Sequence, residues 1–475
     1  MPENFVRLLE ATARRFPDKA AVVWDGGTLT FAAMDRRAGG FARFLAGQGV
    51  KPGDRVAVLL PKRWTFVAAL LGGLKLGATV APLDPLLKAQ ERAEILADLD
   101  PKLVVHEVAP DERPWAAAGV VNSPALILYT SGSTGQPKGA VLSHDALAFA
   151  NRSWAGPVMA LTPKDVVLAV LPVPHSFGLN GALLAPLLAG ATVVLLERFS
   201  PDAVLDAIQT HRVTVFPGVA TMFRRLLDAP AFARADLSSL RLSVSGAAPC
   251  PWELSREWRA RTGVRILRGY GVTELFRPIS YLAEDPTDLP EATGRPVPGV
   301  QVCVVDEAGR SLPHDEVGEL CIKTPAVMDG YLGSPEETRA VLVDGWFRSG
   351  DLAAITPEGC VRIVGRKRER ILRGGYSVFP QEVEAALLTH PAVADAAVIG
   401  LPHPELGEEV AAFVALRPGT TAMPEELMAH CKERLAAFKY PRQVTILERL
   451  PRGATGKVLK ARLAPQTSDP TSSTA

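Results

Sequence analysis

Blocks of apolar and polar residues alternate along the chain and predict strands and helices in turn. Between residues 20 and 110, the short Val- and Leu-rich runs "KAAVVW", "DRVAVLL", "ATVAPL" and "KLVVHE" are typical of buried strands, and "RWTFVAALLGGLKLG" and "KAQERAEILADL" are long enough for helices. The alternation resumes between 166 and 260, which favours a parallel α/β sheet. From about 293 onward, short apolar runs separated by Gly and Asp turns predict a β-rich subdomain.

A dense run of charge, "GRKRERILRGG" at 365–375, interrupts this rhythm and predicts a domain boundary. Helix "PQEVEAALLTH", strands "VADAAVIG" and "EVAAFVAL", helix "PEELMAHCKERLAAF" and strand "RQVTIL" follow, which is enough for a separate α+β domain. The expected fold class is therefore α/β. We expect a large N-terminal domain (1–365) of layered α/β subdomains plus a β-rich subdomain, a small mobile α+β C-terminal domain (366–464), and a disordered polar tail (465–475).

Composition narrows the class of protein. The chain has 475 residues, 47% of them apolar, so it can form a large core in more than one domain. With 52 Lys and Arg against 51 Asp and Glu, it lacks the excess positive charge of a nucleic-acid or membrane-surface protein. Its five widely spaced cysteines contain no CxxC pair, which favours free thiols in a reducing compartment. We expect a cytoplasmic monomer or homodimer with no nucleic-acid partner and no membrane span.

The stretch "YTSGSTGQPKG" at 129–139 carries the strongest chemical signal. It lies between two apolar runs, so it is expected to form a loop between a strand and either a second strand or a helix capped by Ser143. Its hydroxyls, the backbone N–H groups that glycine exposes, and the positive charge of Lys138 suit a polyphosphate. The pattern is not a Walker A loop, because Pro137 precedes the lysine and Gly139 follows it. Taken alone, the stretch is more typical of a flexible surface loop than of a phosphate site.

Five further stretches follow in order: "PVPHSFGL" (172–179), "RGYGVTE" (268–274), "DGWFRSGDL" (344–352), "GRKRERILRGGYSVFPQEVE" (365–384) and "PRGATGK" (451–457). Together with the 129–139 loop, they closely resemble the adenylate-forming superfamily, which includes acyl-CoA synthetases, firefly luciferases and the adenylation domains of peptide synthetases. The resemblance covers nearly the whole chain.

This resemblance implies a reaction in two halves. A carboxylate attacks the α-phosphate of ATP and gives an acyl-adenylate and pyrophosphate. In most CoA ligases the small domain then rotates, and the thiol of coenzyme A takes the acyl group. ATP, Mg²⁺ and coenzyme A are therefore the expected cofactors, and the expected enzyme is an AMP-forming acid–thiol ligase, an acyl-CoA synthetase.

The resemblance also implies roles for individual residues. The phosphate loop would comprise Thr130, Ser131, Gly132, Ser133, Thr134, Gly135 and Lys138. The adenine and α-phosphate would be contacted by Gly246, Ala247, Ala248, Gly269, Tyr270, Gly271 and Thr273. Asp351 and Arg366 would bind the ribose, and Arg368 would lie at the hinge. Gly374 and Gly375 would line the pantetheine tunnel. The predicted catalytic residues are Thr130, His175 as a gate to the acyl tunnel, Glu274 as the Mg²⁺ ligand, and Lys457.

Several alternatives remain open. The hinge position holds Arg368, where the family usually has Asp or Lys. The acceptor is coenzyme A or an acyl carrier protein, because both present the same pantetheine arm. A nucleotide-binding protein without catalysis is a third hypothesis, and the joint presence of Lys138, Glu274, Asp351 and Lys457 argues against it.

The expected substrate is a fatty acid of medium or long chain, and an aryl acid is the alternative. The stretch "HSFGLN" lacks the aspartate of amino-acid-activating relatives. Arg268 and Arg277 flank the pocket stretches, although no cation within them is evident. The predicted acyl pocket comprises Phe177, Asn180, Val215, Phe216, Gly218, Gly246 and Gly271.

Overall fold

The computed structural model describes residues 3–106, 124–131, 137–286, 288–452 and 458–463. These residues form two compact units. The first contains the chain up to 303 together with 321–348 and 356–361, and the second contains 304–320, 349–355 and the residues from 362 onward. The predicted tail at 465–475 lies outside the described residues.

The helices begin where the sequence supplies capping groups. The side chains of Asn4, Thr30 and Ser143 accept hydrogen bonds from backbone N–H groups in the first turns of α1, α2 and α5. In chain order, the α-helices are α1 (Phe5–Arg15), α2 (Phe31–Gly47), α3 (Trp64–Leu76), α4 (Ala89–Leu99), α5 (His144–Ser153), α6 (Ala185–Leu188), α7 (Pro201–Thr210), α8 (Ala220–Leu227), α9 (Trp252–Thr262), α10 (Pro335–Val341), α11 (Pro380–Leu388) and α12 (Pro424–Lys432).

The strands follow the predicted apolar runs closely. In chain order they are β1 (Ala20–Trp24), β2 (Gly27–Thr30), β3 (Arg55–Val58), β4 (Thr79–Pro82), β5 (Leu103–Val105), β6 (Pro124–Ser131), β7 (Pro137–Ser143), β8 (Val166–Ala169), β9 (Thr192–Leu195), β10 (Val215–Gly218), β11 (Leu242–Ser245), β12 (Ile266–Leu267), β13 (Gly269–Tyr270), β14 (Ile279–Ser280), β15 (Arg295–Pro296), β16 (Gln301–Val305), β17 (Gly318–Lys323), β18 (Gly330–Tyr331), β19 (Leu342–Val343), β20 (Trp346–Ile355), β21 (Val361–Arg366), β22 (Ile371–Arg373), β23 (Tyr376–Val378), β24 (Val393–His403), β25 (Gly407–Leu416) and β26 (Gln443–Leu447).

Two large sheets form the frame of the first unit. One has the order β12-β11-β10-β8-β9-β1-β2 and the other β18-β7-β6-β4-β3-β5. As predicted, neighbouring strands are parallel throughout the row β12-β11-β10-β8-β9 of the first sheet. In the second sheet, β3 is parallel to both β4 and β5. The pairs β1–β2 and β6–β7 are antiparallel, because their connections are too short for the crossover that parallel strands need. A smaller antiparallel sheet has the order β13-β14-β15.

An aromatic cluster forms the centre of one core layer in this unit. Trp258 on α9 packs against Phe216, Phe223 and Phe232, with ring centroids 5.0 to 6.4 Å apart. Trp258, Phe216 and Phe223 have no solvent exposure. The layer therefore fixes α8 and α9 against the sheet that carries β10 and β11, whose carboxyl ends bear predicted site residues.

The second unit contains its own sheet, in the order β23-β22-β25-β24 with β26 beside β25. Helices α11 and α12 pack on it through a core that includes Val383, Leu387, Leu427 and Cys431. Helix α12 ends at Lys432, six residues before the predicted end at Phe438. Phe438 instead stacks on Tyr376 at 4.4 Å, so tertiary packing overrides the helical pattern there.

None of the α-helices in the described ranges has an apolar stretch long enough to cross a bilayer. The most apolar helix, α3, is buried over most of its length. Its one charged residue, Lys75, forms ion pairs with Glu10 and Asp35 at 2.5 and 2.9 Å, so it is a compensated charge within the fold.

Candidate functional site

The predicted phosphate loop joins two strands that pair with each other. Thr130 and Ser131 end β6, Lys138 is the second residue of β7, and the register places Thr130 opposite Lys138. The strand pair therefore fixes both ends of the loop and holds the lysine at its base. The loop residues between the strands, and the side chain of Ser131, lie outside the described part of the chain: Gly132, Ser133, Thr134 and Gly135.

The ammonium group of Lys138 is held by residues from a distant segment. Its Nζ lies 2.7 Å from Glu337 Oε1 and 5.7 Å from the centroid of the Tyr331 ring, and its side chain is 16% exposed. Glu337 lies on α10, and Tyr331 lies on β18, which pairs with β7. The carboxylate and the aromatic face both attract the ammonium group and hold it in place.

Tyr331 also contacts the predicted metal ligand. Its hydroxyl donates a hydrogen bond to Glu274 Oε1 at 2.8 Å, and Met328 N donates to the Glu274 main-chain oxygen at 2.9 Å. Burial and the neighbouring Glu274 carboxylate raise the pKa of Tyr331, so the phenol stays protonated and remains a donor. One tyrosine thus brings together the loop lysine and the predicted Mg²⁺ ligand, although neither Tyr331 nor Glu337 was singled out from the sequence.

The segment that carries Tyr270 and Thr273 is a tight turn. Gly269 and Tyr270 form β13, which pairs antiparallel with β14. A Cβ atom on Gly271 would overlap the main-chain oxygen of Phe276, so this position must be glycine. Phe276 itself has a φ of 58°, an unfavourable conformation for a residue with a side chain. Packing therefore keeps this segment in a strained arrangement, with Tyr270 and Thr273 half-buried.

The predicted adenine wall follows strand β11. Gly246, Ala247 and Ala248 come directly after the carboxyl end of this strand, which is parallel to β10 and β12. That edge of an α/β sheet is where ligands commonly bind. Ala247 has a φ of 65°, so the wall contains a second strained residue.

His175 is held by main-chain contacts in its own loop. Phe177 N donates to His175 Nδ1 at 3.4 Å, so the neutral ring carries its proton on Nε2. Burial lowers the pKa of His175 below its usual value, so the imidazole is neutral at pH 7. A neutral ring with its proton on Nε2 suits a gate beside an apolar chain, and this role stays a prediction.

The two predicted ribose ligands lie together in the second unit. Asp351 on β20 is 3% exposed, and its Oδ1 lies 3.3 Å from Nε of Arg366, at the end of β21. Asp351 N donates to Ser349 Oγ at 3.1 Å, and this hydroxyl donates to the main-chain oxygen of Leu320. The two side chains thus contact each other, and Ser349 holds the main chain at Asp351 in place.

The predicted hinge and tunnel residues follow in the same unit. Arg368 is exposed in the short 3₁₀ segment Lys367–Glu369. Gly374 and Gly375 form the turn between β22 and β23, with φ values of 55° and 83°. Two consecutive positive φ values are typical of a two-residue hairpin turn and favour glycine at both positions. The glycines thus have a structural reason to be present, and their contact with pantetheine stays a prediction.

Lys457 lies outside the described residues. Its neighbour Lys460, the next candidate for a catalytic lysine, is bound within the second unit by two carboxylates. Its Nζ lies 2.8 Å from Glu384 and 3.2 Å from Glu369. An ammonium group held in this way is less suited to contact an anionic substrate, so Lys457 remains the better candidate.

Comparison with known proteins decides the family. The model of the AMP-binding enzyme family matches residues 9–121 and 110–332, and that of the AMP-binding enzyme C-terminal domain matches 382–457. The chain belongs to the adenylate-forming enzymes, in their acyl-CoA synthetase branch. The family resemblance, the α/β fold class and the enzyme class predicted from the motifs are thereby confirmed.

Similar proteins cover nearly the full length of this enzyme. A feruloyl-CoA synthase of an Amycolatopsis species is 36% identical over 95% of this chain and 96% of its own length. A fatty acid–[acyl-carrier-protein] ligase, ScoC of Streptomyces coeruleorubidus, is 33% identical over 97% and 96%. The crystal structure of ATP-bound MatB from Rhodopseudomonas palustris superimposes with a TM-score of 0.90 at 33% identity, over 97% of this chain and 98% of that one. These proteins differ in the named acid and acceptor, so the comparison does not fix the substrate.

Proposed function

We propose that this enzyme uses ATP to convert a carboxylic acid to an acyl-adenylate and then transfers the acyl group to coenzyme A. The observation that carries the proposal is the link from Lys138 through Tyr331 to Glu274. It gathers a cation, a phenol donor and a carboxylate next to both ends of a hydroxyl-rich loop. The ATP bound to the similar MatB structure supports the same nucleotide here.

The first half-reaction requires stabilisation of negative charge on the leaving pyrophosphate. The Lys138 ammonium, with the hydroxyls and N–H groups of its loop, would supply that stabilisation at the β- and γ-phosphates. Glu337 forms an ion pair with this lysine at 2.7 Å. The carboxylate must therefore yield the ammonium to the nucleotide, and it prevents an isolated positive charge in the meantime.

Glu274 fits a divalent cation. Magnesium prefers carboxylate oxygen and accepts few protein ligands. The Tyr331 hydroxyl occupies Oε1 and orients the carboxylate, and Oε2 has no protein donor among the described residues. Bound there, Mg²⁺ would neutralise charge on the phosphates. Tyr331 would hold the carboxylate in place throughout the reaction.

The acid is the open part of the proposal. The pocket stretches predict a medium or long aliphatic chain, and this stays a prediction. The stacked rings of Trp154 and Phe177, with centroids 5.6 Å apart, favour the alternative of an aryl acid. The naming of a feruloyl-CoA synthase among the similar proteins supports the aryl alternative. The carrier-protein alternative is supported by the name of ScoC.

A screen of pyrophosphate release tests the proposal. Aliphatic, aryl and dicarboxylic acids would each be incubated with ATP and Mg²⁺, with and without coenzyme A, and with a phosphopantetheinylated carrier protein in place of coenzyme A. We expect pyrophosphate with at least one acid, and a thioester only when a thiol is present. If thioester forms with the carrier protein but not with coenzyme A, the acceptor is the carrier protein. If well-folded enzyme releases no pyrophosphate with any acid, the proposal is refuted.

A further inference from the structure

A buried arginine lies in the wall of the predicted acyl pocket. Arg277 is 7% exposed, and its guanidinium lies 4.9 Å from the centroid of the Trp154 ring, the same ring on which Phe177 stacks. A Cβ atom on Gly246 would lie 3.1 Å from Arg277 Nη1 and 3.2 Å from the Phe177 ring. The guanidinium and the Phe177 ring thus meet over Gly246, a predicted pocket residue, and Trp154 contacts both of them.

The acceptors of this guanidinium among the described residues are all uncharged. Nε donates to Ser280 Oγ at 3.0 Å, Nη1 to the Ser245 main-chain oxygen at 2.8 Å and Nη2 to the Leu267 main-chain oxygen at 3.2 Å. A guanidinium has five N–H groups. One N–H on each Nη atom therefore has no acceptor among the residues that the structure describes.

The charged groups near Arg277 do not neutralise it. Cys250 lies within electrostatic reach, but burial raises the pKa of its thiol to about 11, so it is uncharged at pH 7. Arg268, 5% exposed, adds a second positive charge near the same thiol. Asp288 also faces Cys250, but it forms an ion pair with Arg265. Burial lowers the pKa of Arg277 to about 9, so the side chain stays predominantly charged and its burial is costly.

The location of the guanidinium suits a ligand. Ser245 and Leu267 are the last residues of β11 and β12, and the carboxyl ends of parallel strands form the edge at which α/β sheets bind ligands. The contacts with these carbonyl groups and with the Trp154 ring leave the guanidinium without a negatively charged partner among the described residues. The two remaining N–H groups match the two oxygens of a carboxylate.

We propose that Arg277 is a specificity-determining residue that binds an anionic group at the far end of the acid, so that this enzyme prefers a dicarboxylic acid to the monocarboxylic acid of equal length. The inference rests on the proposed function and adds the substrate class. One carboxylate is activated on ATP, and the second stays ionised against Arg277. The chemistry of the reaction is unchanged.

Matched acids test this preference in the unaltered enzyme. Succinate would be compared with butyrate, adipate with hexanoate, and terephthalate with 4-methylbenzoate, each for kcat/KM of pyrophosphate release. A hydrogen-bonded charge pair in a buried site gives a preference of about 10- to 100-fold, so we expect the best dicarboxylate to exceed its partner by that factor. Equal rates, or a preference for the monocarboxylates in all three pairs, would overturn the inference while leaving the proposed function intact. Activity only with monocarboxylic acids outside these pairs would also overturn it, and inactivity toward every acid of the wider pyrophosphate screen would instead refute the proposed function.

Two variants separate substrate binding from structural support. Arg277→Met should lose the dicarboxylate preference, while activity with the monocarboxylate partner is retained or rises. Arg277→Lys keeps the charge without the planar pair of donors and should show an intermediate preference. Arg268→Met is the matched control, because Arg268 is also buried and its Nη atoms also donate to main-chain oxygens, those of Pro290 and Leu289. Its guanidinium, however, lies 5.0 and 5.4 Å from the ring centroids of Trp252 and Tyr281, whereas Arg277 lies against Trp154. Arg268→Met should lower thermal stability without changing the ranking of acids. An equal loss for both members of each pair in Arg277→Lys would show that Arg277 has only a structural role.

Discussion

At the scale of single residues, the ion pair between Lys138 and Glu337 has a measurable consequence for ATP binding. Because Glu337 is 40% exposed in its side chain, the pair is worth at most about 1 kcal/mol. Glu337→Gln should therefore release the ammonium group to the phosphates and lower KM for ATP by about two- to fivefold, with kcat nearly unchanged. The measurement is initial-rate kinetics over a range of ATP concentrations.

The neighbouring Glu336 is the matched control for this variant, because it is exposed on the same helix α10. Glu336→Gln should leave KM for ATP unchanged. A rise in KM for Glu337→Gln alone would show that the carboxylate positions Lys138 for the nucleotide and does not compete with it.

Glu274 is the second residue whose removal should affect chemistry more than folding. Glu274→Gln keeps an oxygen that can accept from the Tyr331 hydroxyl but removes the negative charge that would hold Mg²⁺. We expect kcat to fall about 100-fold or more, and the apparent affinity for Mg²⁺ to fall with it. Wild-type turnover at limiting Mg²⁺ would exclude Glu274 as the metal ligand, and an unchanged melting temperature would confirm that folding is intact.

At the scale of elements, helix α5 begins at a histidine that should make stability depend on pH. His144 is 1% exposed, neither ring nitrogen has a hydrogen-bond partner among the described residues, and burial lowers its pKa to about 4. The positive end of the helix dipole also disfavours protonation there. The unfolded chain binds a proton below its ordinary pKa of about 6.5, whereas the folded chain does so only near 4, so stability falls as the pH drops between these values.

The predicted loss from this one group is about 2 kcal/mol between pH 7.5 and pH 5. Urea unfolding of His144→Gln should show a smaller loss over the same pH range than the unaltered enzyme does. Exposed His314 provides the control, since His314→Gln should leave the pH dependence as it was. Identical pH profiles for the enzyme and His144→Gln would mean that His144 is solvated in solution.

At the scale of the whole molecule, Arg368 tests whether the two half-reactions depend on a hinge. Proline would restrict φ at this exposed position. Arg368→Pro should still form acyl-adenylate, measured by pyrophosphate release, but should form thioester slowly, and Arg368→Ala should retain both steps. Equal loss of both steps in the proline variant would place the hinge elsewhere or indicate misfolding.

Lys457 should affect the opposite half-reaction. The family resemblance implies that its ammonium bridges the attacking carboxylate and the α-phosphate, and the loss of one such contact costs about 3 kcal/mol, or more than 100-fold in rate. Lys457→Ala should slow adenylation by that factor, while thioester formation from presynthesised acyl-adenylate and coenzyme A should remain largely intact. Lys460→Ala is the control, because Lys460 is bound to Glu384 and Glu369.

The sequence predicted the elements better than it predicted the contacts between them. Strands β6 and β7 and the position of Lys138 follow from local pattern, because apolar runs and glycines act over a few residues. Glu337 lies 199 positions from its partner Lys138, and no local pattern links them. Helix α12 was predicted too long, since the contact of Phe438 with Tyr376 is made by tertiary packing.

The burial of Arg277 could not be predicted from the sequence either, because an arginine beside apolar residues is usually exposed. The roles predicted for Thr130, Ser131, Tyr270, Asp351 and the other site residues rest on the family resemblance and stay predictions. What the fold adds is their grouping within each unit. The loop lysine lies near Glu274 in the first unit, and Asp351 pairs with Arg366 in the second.

The close approach of Arg277 to Gly269 also constrains the order in which this enzyme can diverge. A Cβ atom at position 269 would overlap the guanidinium, and moving the guanidinium would break its three hydrogen bonds. A side chain at position 269 should therefore be tolerated better once the arginine at 277 has been replaced. The two positions should change together among relatives, with glycine accompanying arginine and larger residues accompanying its absence.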